Sequence, residues 1–340
     1  MQLSLHDKIF GVGFDETLRT FPEPPAMRLY VRFCGHTMSG HGKMRKLEVP
    51  NKAMREVHIR LLRFLRTLPS ESSYATGCKP GDSPAKNVKR HAGQCFFYLV
   101  DLRGAFHSVD IPVLAGILRK AAKLPSRQES QILALLERYC ASHFGVGGLA
   151  EGVPASSDLF DLYCAVRIDK QLGPYCKWWG IRYTRYADDL VFSSERPLSR
   201  KIRQYIRRIL EEAGFAISHH KCELRDLKKG PIKINGIGLQ PDGRMFVPRP
   251  FTRRTQHLLH LVLEKGRWEL LLQVQGRMAL FRQLTDVRNP NRTEKHLLEQ
   301  YAALQRILRK EKMRAREQKK RVRQSGRPEY LHVSRSPIAC

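Results

Sequence analysis

"RYTRYADDLVFSSE", residues 182–195, sets Asp188 and Asp189 side by side within a run of aromatic, β-branched and apolar residues. Aspartate is a poor strand former. The pair therefore marks the tip of a hairpin whose arms are "IRYTRYA" and "LVFSS", joined by a two-residue turn. A turn alone would account for it, since Asp tolerates turn geometry. The other explanation is that the tip presents carboxylates to a divalent metal. The rest of the chain has to decide between the two.

Charge is the strongest compositional signal. The 340 residues carry 61 Lys and Arg against 32 Asp and Glu, a net charge of +29. Such an excess points to a polyanionic partner, nucleic acid first among them. A hydrophobic share of 42% is that of a globular protein with a sizeable core. No apolar run has the length of a membrane span, and the first twenty residues lack a signal layout, so the expectation is a cytoplasmic protein with no membrane partner. Eight scattered cysteines show no zinc spacing and read as reduced packing residues. The chain has no GxGxxG and no Walker A motif, which argues against dinucleotide and P-loop enzymes.

Residues 1–44 read as a partly irregular N-terminal arm containing "FPEPPA". "NKAMREVHIRLLRFLRTL" (51–68) has helical apolar spacing up to Pro69. "CFFYLVDL" (95–102) is an apolar run of strand length with Asp101 near its end. Residues 112–142 read as helices broken at Pro125, and residues 158–172 as a helix stopped by Pro174. An amphipathic helix over 198–213 ends at Gly214. "FAISHHKCEL" and "IKINGIGLQPDGRMFVPR" read as strands, and the chain is helical from about 252. This mixture predicts an α+β fold, a palm with an antiparallel sheet plus helices, followed by a helical domain.

One acid ends a strand and two cap a hairpin. If the strand and hairpin pair, three carboxylates converge, and their repulsion calls for cations. Two Mg²⁺ ions roughly 4 Å apart would neutralise them and clamp the oxygens of a phosphoryl transfer.

These residues carry a family resemblance. "YADD" within "RYTRYADDLVFSS" resembles the signature hairpin of reverse transcriptases. "VDLRGAFHSVD" (100–110) is similar to their first catalytic strand, "GLAEGVPASSDLFDLY" (148–163) to their template- and nucleotide-contacting loop and helix, and "LEEAGFAISHHKCEL" (210–224) to the element that follows. "RKLEVPNKAMREVH" (45–58) resembles the fingers motif. The similarity runs in order from about 45 to 250. It implies a right-hand polymerase fold, with fingers and palm over 45–250, an all-helical basic thumb over 251–324 and a loose tail at 325–340. It also implies RNA-directed DNA polymerisation from dNTPs with two Mg²⁺, or Mn²⁺. Asp101, Asp188 and Asp189 would be the catalytic metal ligands, joined by the Leu102 carbonyl. Phe106 would be the steric gate against ribonucleotides. Arg45 would contact the triphosphate, Glu151 and Gly152 would lie in the nucleotide loop, and Lys221 would sit near the leaving pyrophosphate. The loop departs from the family pattern, with Ala150-Glu151-Gly152 for Pro-Gln-Gly and Ala155-Ser156-Ser157 for Thr-Ser-Pro.

Within the family, "NVKRH" (87–91) and "INGIGLQPDGRMFVPR" (234–249) resemble segments of bacterial retron enzymes. That likeness implies a structured noncoding RNA as template and primer, a branched RNA–DNA product resembling msDNA, a role in phage defence and an effector protein as partner. Asn87 and His91 would contact the RNA. In the basic run 308–324, Arg309, Lys310, Lys312, Arg314, Arg316, Lys319 and Lys320 would follow its phosphates. The alternatives are a diversity-generating or other defence-associated bacterial reverse transcriptase and, in another class, a catalytically silent RNA-binding scaffold.

Overall fold

The computed structural model describes residues 4–11, 27–36, 42–69, 72–77, 81–144, 147–285 and 290–325. The chain divides into two compact units, one of residues 1–235 with 241–243, the other of residues 236–240 with 244–340.

The first unit opens with a short helix, α1 (Leu5–Phe10), whose N-terminus is closed by a reciprocal Ser4–Asp7 capping box. Strands β1 (Met27–His36) and β2 (Gly42–Pro50) pair antiparallel, so part of the segment expected to be an irregular arm is a hairpin. The alternation in "MRLYVRF" is the strand signal that the nearby prolines obscured. Asn51 then caps α2 (Lys52–Leu65), whose Met54, Val57, Leu61 and Leu65 are buried. Ser83 caps the short α3 (Pro84–Lys89).

The centre of the unit is a five-stranded sheet. Strand β3 (Phe96–Arg103) lies between β5 (Asp189–Ser194) and two short strands, β6 (Ala216–Ile217) and β7 (Glu223–Asp226), while β4 (Arg182–Tyr186) flanks β5. All these pairings are antiparallel. The sheet packs against helices α4 (Ile111–Ala121), α5 (Glu129–Tyr139), α6 (Ser156–Cys164), α7 (Lys170–Trp178) and α8 (Arg200–Glu212). Tyr98, Val100, Leu114, Leu118, Leu159 and Ile206 belong to one shared core. Cys140 and Cys176 are buried in it, and burial pushes both thiols up to about 12, which suits packing residues.

Pro174 does not stop its helix. The chain runs from α6 through a π-helical turn, Ala165–Asp169, into α7, which contains the proline. The widened turn rephases the ladder ahead of the residue that cannot donate. Burial of Leu172 and Cys176 on either side holds the continuation in place. Strand β8 (Ile232–Ile234) ends this unit's main run.

In the second unit, β9 (Ile237–Leu239) and β10 (Met245–Phe246) pair antiparallel around the turn at Asp242-Gly243. Helices α9 (Arg249–Lys265), α10 (Leu271–Leu284) and α11 (Arg292–Ser325) follow. Leu258, Leu259, Val262, Val274, Met278 and Phe281 form their core with Leu297 and Leu304. Leu272, between these helices' buried residues in sequence, is 77% exposed. Among the described residues, no helix is long and apolar enough to cross a membrane.

Candidate active site

The sheet register builds the site. Asp101 of β3 stands directly opposite Asp189 of β5, one step beyond the buried Val100–Leu190 pair. Asp189 is thus the first residue of β5, and the turn is Ala187–Asp188, with Ala187 held at φ 54°. The Leu102 amide donates to the Asp188 carbonyl at 3.2 Å, tying the hairpin tip to β3. Two strands and one turn bring together the three carboxylates on which the sequence reading rested.

Their charges are partly compensated. Lys221 Nζ lies 2.6 Å from Asp101 Oδ2. Asn235, at the end of β8, donates from Nδ2 to Asp189 Oδ2 at 2.8 Å. Asn87 Nδ2 in turn donates to Asn235 Oδ1. Burial, with Asp188 and Asp101 adding repulsion, pushes the Asp189 carboxyl up to about 6. The cluster gathers carboxylates where burial makes their charge costly. Its donors are all oxygens, the set that suits a hard ion such as Mg²⁺ or Mn²⁺. Among the described residues, no three such side chains already stand at metal-holding distances. Lys221 and Asn235 each occupy a carboxylate oxygen that an ion would claim.

Phe106 follows β3 and stacks on Phe160 of α6, with ring centroids 4.8 Å apart, so it is half-buried at the edge of the core. Its carbonyl accepts from Leu149 N at 2.8 Å, which fastens the loop carrying Glu151 and Gly152 beside it. Glu151 accepts through its backbone carbonyl from Glu48 N of β2 at 2.7 Å. Gly152 has φ 113°, and a Cβ there would come within 3.0 Å of the Glu48 carbonyl. What this glycine admits in the structure is the backbone of β2. Arg45 lies on β2 opposite Arg32, and its side chain is outside the described residues.

The structure corrects the reading of Asn87 and His91. Both are fully buried and cannot meet an RNA from the surface. The His91 ring bridges the hairpin arms, with Nδ1 2.6 Å from Ser193 Oγ and Nε2 2.7 Å from Thr184 Oγ1. Burial, with Arg182 and Arg90 nearby, lowers its pKa to about 3, so it is neutral. In the second unit Arg309, Lys310, Lys312 and Arg314 are exposed on α11, and Arg314 pairs with Glu311 at 3.1 Å. Arg316, Lys319 and Lys320 lie on the same helix, their side chains outside the described residues.

Two features escaped the sequence reading. One is Asn235, which the sequence reading quoted only as part of the segment 234–249. The other is the buried support of the hairpin. Arg185 of β4, 1% exposed, places its Nη2 2.8 Å from Asp161 Oδ1 and 2.8 Å from Asp169 Oδ2. Tyr183 donates to Asp169 Oδ1 at 2.7 Å and Ser72 donates to Asp169 Oδ2 at 2.6 Å. The Arg185 backbone also pairs outward, accepting from Thr76 N and donating to the Tyr74 carbonyl. The signal was present: Tyr183 and Arg185 sit two apart on a strand, hence on one face, and an arginine there needs carboxylates.

Residues 36–239 match the family described as "Reverse transcriptase (RNA-dependent DNA polymerase)". The chain belongs to the reverse transcriptase family. It is 27% identical over 222 residues to the retron Mx65 reverse transcriptase of Myxococcus xanthus, covering 62% of this chain and 51% of that one. It is 29% identical over 244 residues to the retron Mx162 reverse transcriptase of the same organism, covering 62% and 49%. The chain thus spans about half the length of these curated relatives. A solved telomerase of Candida albicans, in complex with a fragment of telomeric RNA, aligns over 72% of this chain and 51% of its own at 12% identity, with a TM-score of 0.44.

Proposed function

We propose that this chain is an RNA-directed DNA polymerase of the retron kind. It extends a ribose hydroxyl with dNTPs along a structured noncoding RNA, and the product is a branched RNA–DNA molecule of the msDNA type. The supporting observation is the Asp101–Asp189 register, which sets a strand-end carboxylate beside the hairpin-tip acids within a reverse transcriptase domain. The retron relatives favour the retron assignment over a diversity-generating one. A role in phage defence, with an effector protein as partner, belongs to the same reading.

The residues divide the work as follows. Asp101, Asp188 and Asp189, with the Leu102 carbonyl, would hold two Mg²⁺ or Mn²⁺ ions. When bound, such ions lower the pKa of the attacking hydroxyl and neutralise the leaving pyrophosphate. Asn235 orients Asp189 through its 2.8 Å hydrogen bond. Lys221 holds Asp101 at 2.6 Å and carries the charge to meet phosphate oxygens. Phe106, fixed by its stack on Phe160, is the ring that would crowd a ribonucleotide 2′-hydroxyl. Arg45, Glu151 and Gly152 would frame the triphosphate. The exposed cations of α11 would follow RNA phosphates.

The test is incorporation of labelled dNTPs on a primed RNA by the full chain. Asp188→Asn with Asp189→Asn should abolish it and leave RNA affinity within about twofold, because positive phosphate contacts set that affinity. Incorporation at the parent rate by that variant would remove the mechanism. Sequencing copurified nucleic acid should recover one discrete RNA joined to short DNA. DNA copies of a variable-gene template would instead select the diversity-generating alternative.

A further inference from the structure

The palm carries an aromatic and basic surface at the end of the hairpin opposite its carboxylates. Trp178 and Trp179 close α7 and are 85% and 55% exposed. Large aromatic side chains are costly to leave in water, and two in succession are not an incidental single exposure. They continue into a ladder of rings. Trp179 lies 6.4 Å from Tyr175, and Tyr175 stacks on Tyr205 of α8 at 3.9 Å with an interplanar angle of 20°. The Arg208 guanidinium then covers Tyr205 at 5.1 Å. Rings and cation form one strip across the seam between α7 and α8.

Part of the charge of α8, on Arg200, Lys201 and Arg208, points outward. Arg200, Lys201 and Arg203 occupy its first turn, where no acid is present, while Glu211 and Glu212 occupy its last. Both placements oppose the helix dipole, which favours acids at the start and bases at the end. Glu212 answers Arg208 one turn earlier, with Nε 3.6 Å from Oε1, but no acid of the first turn answers the cations there. The exposed Arg200 and Lys201 of that turn suit a polyanion lying along the helix, and Lys177, exposed beside the tryptophans, extends the positive field.

We infer that this strip is a second nucleic-acid site, one that takes an unpaired RNA segment by stacking its bases on Trp178 and Trp179 while α8 neutralises its phosphates. Flat rings interleaved with arginine and lysine are the chemistry that holds unpaired bases without reading their sequence. A duplex, with its bases already stacked, would gain only the phosphate contacts. The site is separate from the catalytic one. Strand β4 leads away from Trp178–Gly180 toward Ala187–Asp188, so about 16 Å of extended chain lies between them. The inference rests on the proposed function only in taking the polyanion to be RNA. It adds a hold on the template that stays put while the catalytic groove advances.

The test uses the full chain with Trp268→Phe, leaving Trp178 and Trp179 as its only indoles. With a short primer–template already bound, single-stranded oligoadenylate should quench their fluorescence saturably, and an RNA duplex should not. Trp178→Ala with Trp179→Ala, which leaves no indole and is read by filter binding of labelled oligoadenylate, should lower its affinity at least tenfold, while incorporation on the short primer–template stays within about twofold, because stacking on these rings is absent from that reaction. Lys177→Glu with Arg208→Glu, which keeps both indoles, should weaken binding similarly and flatten its salt dependence. Absence of quenching, or equal quenching by duplex, would overturn the inference. So would a parent dimer that the tryptophan variant converts to monomer, since the strip would then be a self-association face. Loss of incorporation in the parent chain would count against the proposed function and leave the quenching result to decide this site.

Discussion

His91, His58 and His6 are buried, and burial lowers their pKa values from 6.5 to about 3, about 4 and about 4. The unfolded chain binds protons on these rings below pH 6.5, whereas the folded chain refuses them until the pH nears the lower values. Stability is therefore full above about pH 6.5 and falls as the solution is acidified. Between about pH 7.5 and about pH 5 each ring removes about 2 kcal/mol, and the three together about 6 kcal/mol. Asp189 acts in the opposite sense. Its carboxyl, raised to about 6 and faced by Asp101, Asp188, Lys221 and Asn235, takes up a proton in the folded state and returns about 1.4 kcal/mol over the same span. The net loss of about 5 kcal/mol rivals the whole stability of many domains. His91→Gln removes one of the three titrating rings and retains an amide to bond Ser193 or Thr184. Urea unfolding in chelator, followed across this range, should show the slope of stability against pH reduced in the variant by about one proton. An unchanged slope, or a parent as stable at the acid end as at neutral pH, would refute the burial argument.

Arg185→Met should cost about 3–5 kcal/mol in urea unfolding, because Asp161 and Asp169 would keep buried charge without their cation; a loss below about 1 kcal/mol would make the pairing incidental. Asn235→Gly keeps the left-handed backbone, φ 46° here, but removes the donor to Asp189. Incorporation should fall at least about tenfold, the worth of a charge-assisted hydrogen bond, with the melting temperature shifted by no more than a few degrees. An unchanged rate would show that Asp189 needs no such partner. Phe106→Val should raise ribonucleotide incorporation relative to dNTP use; an unaltered ratio would return Phe106 to a packing role.

The candidate constellation of carboxylates was legible because its parts are local. An acid at the end of an apolar strand and a pair at a hairpin tip are each visible in a dozen residues, and their meeting needs only that the two elements pair. The environment of His91 was not legible in that way. Whether "NVKRH" faces solvent or core depends on Thr184 and Ser193, about a hundred residues away in sequence, reaching both ring nitrogens. Asn235 was hidden for a similar reason, since its value comes from lying beside Asp189 rather than from its own segment. Pro174 shows local propensity losing to tertiary burial: a residue that breaks most helices is carried through one by the buried Leu172 and Cys176.

The pairing of β3 with β5 has one more implication. Val100 and Leu190 face the core, while Asp101 and Asp189 are the next pair along. Side chains alternate between faces, so sliding β5 by a single residue would turn Asp189 toward the face on which Val100 and Leu190 pack. Register and interior are thus tied: the slip that parts Asp101 from Asp189 also drives a carboxylate into the packed face.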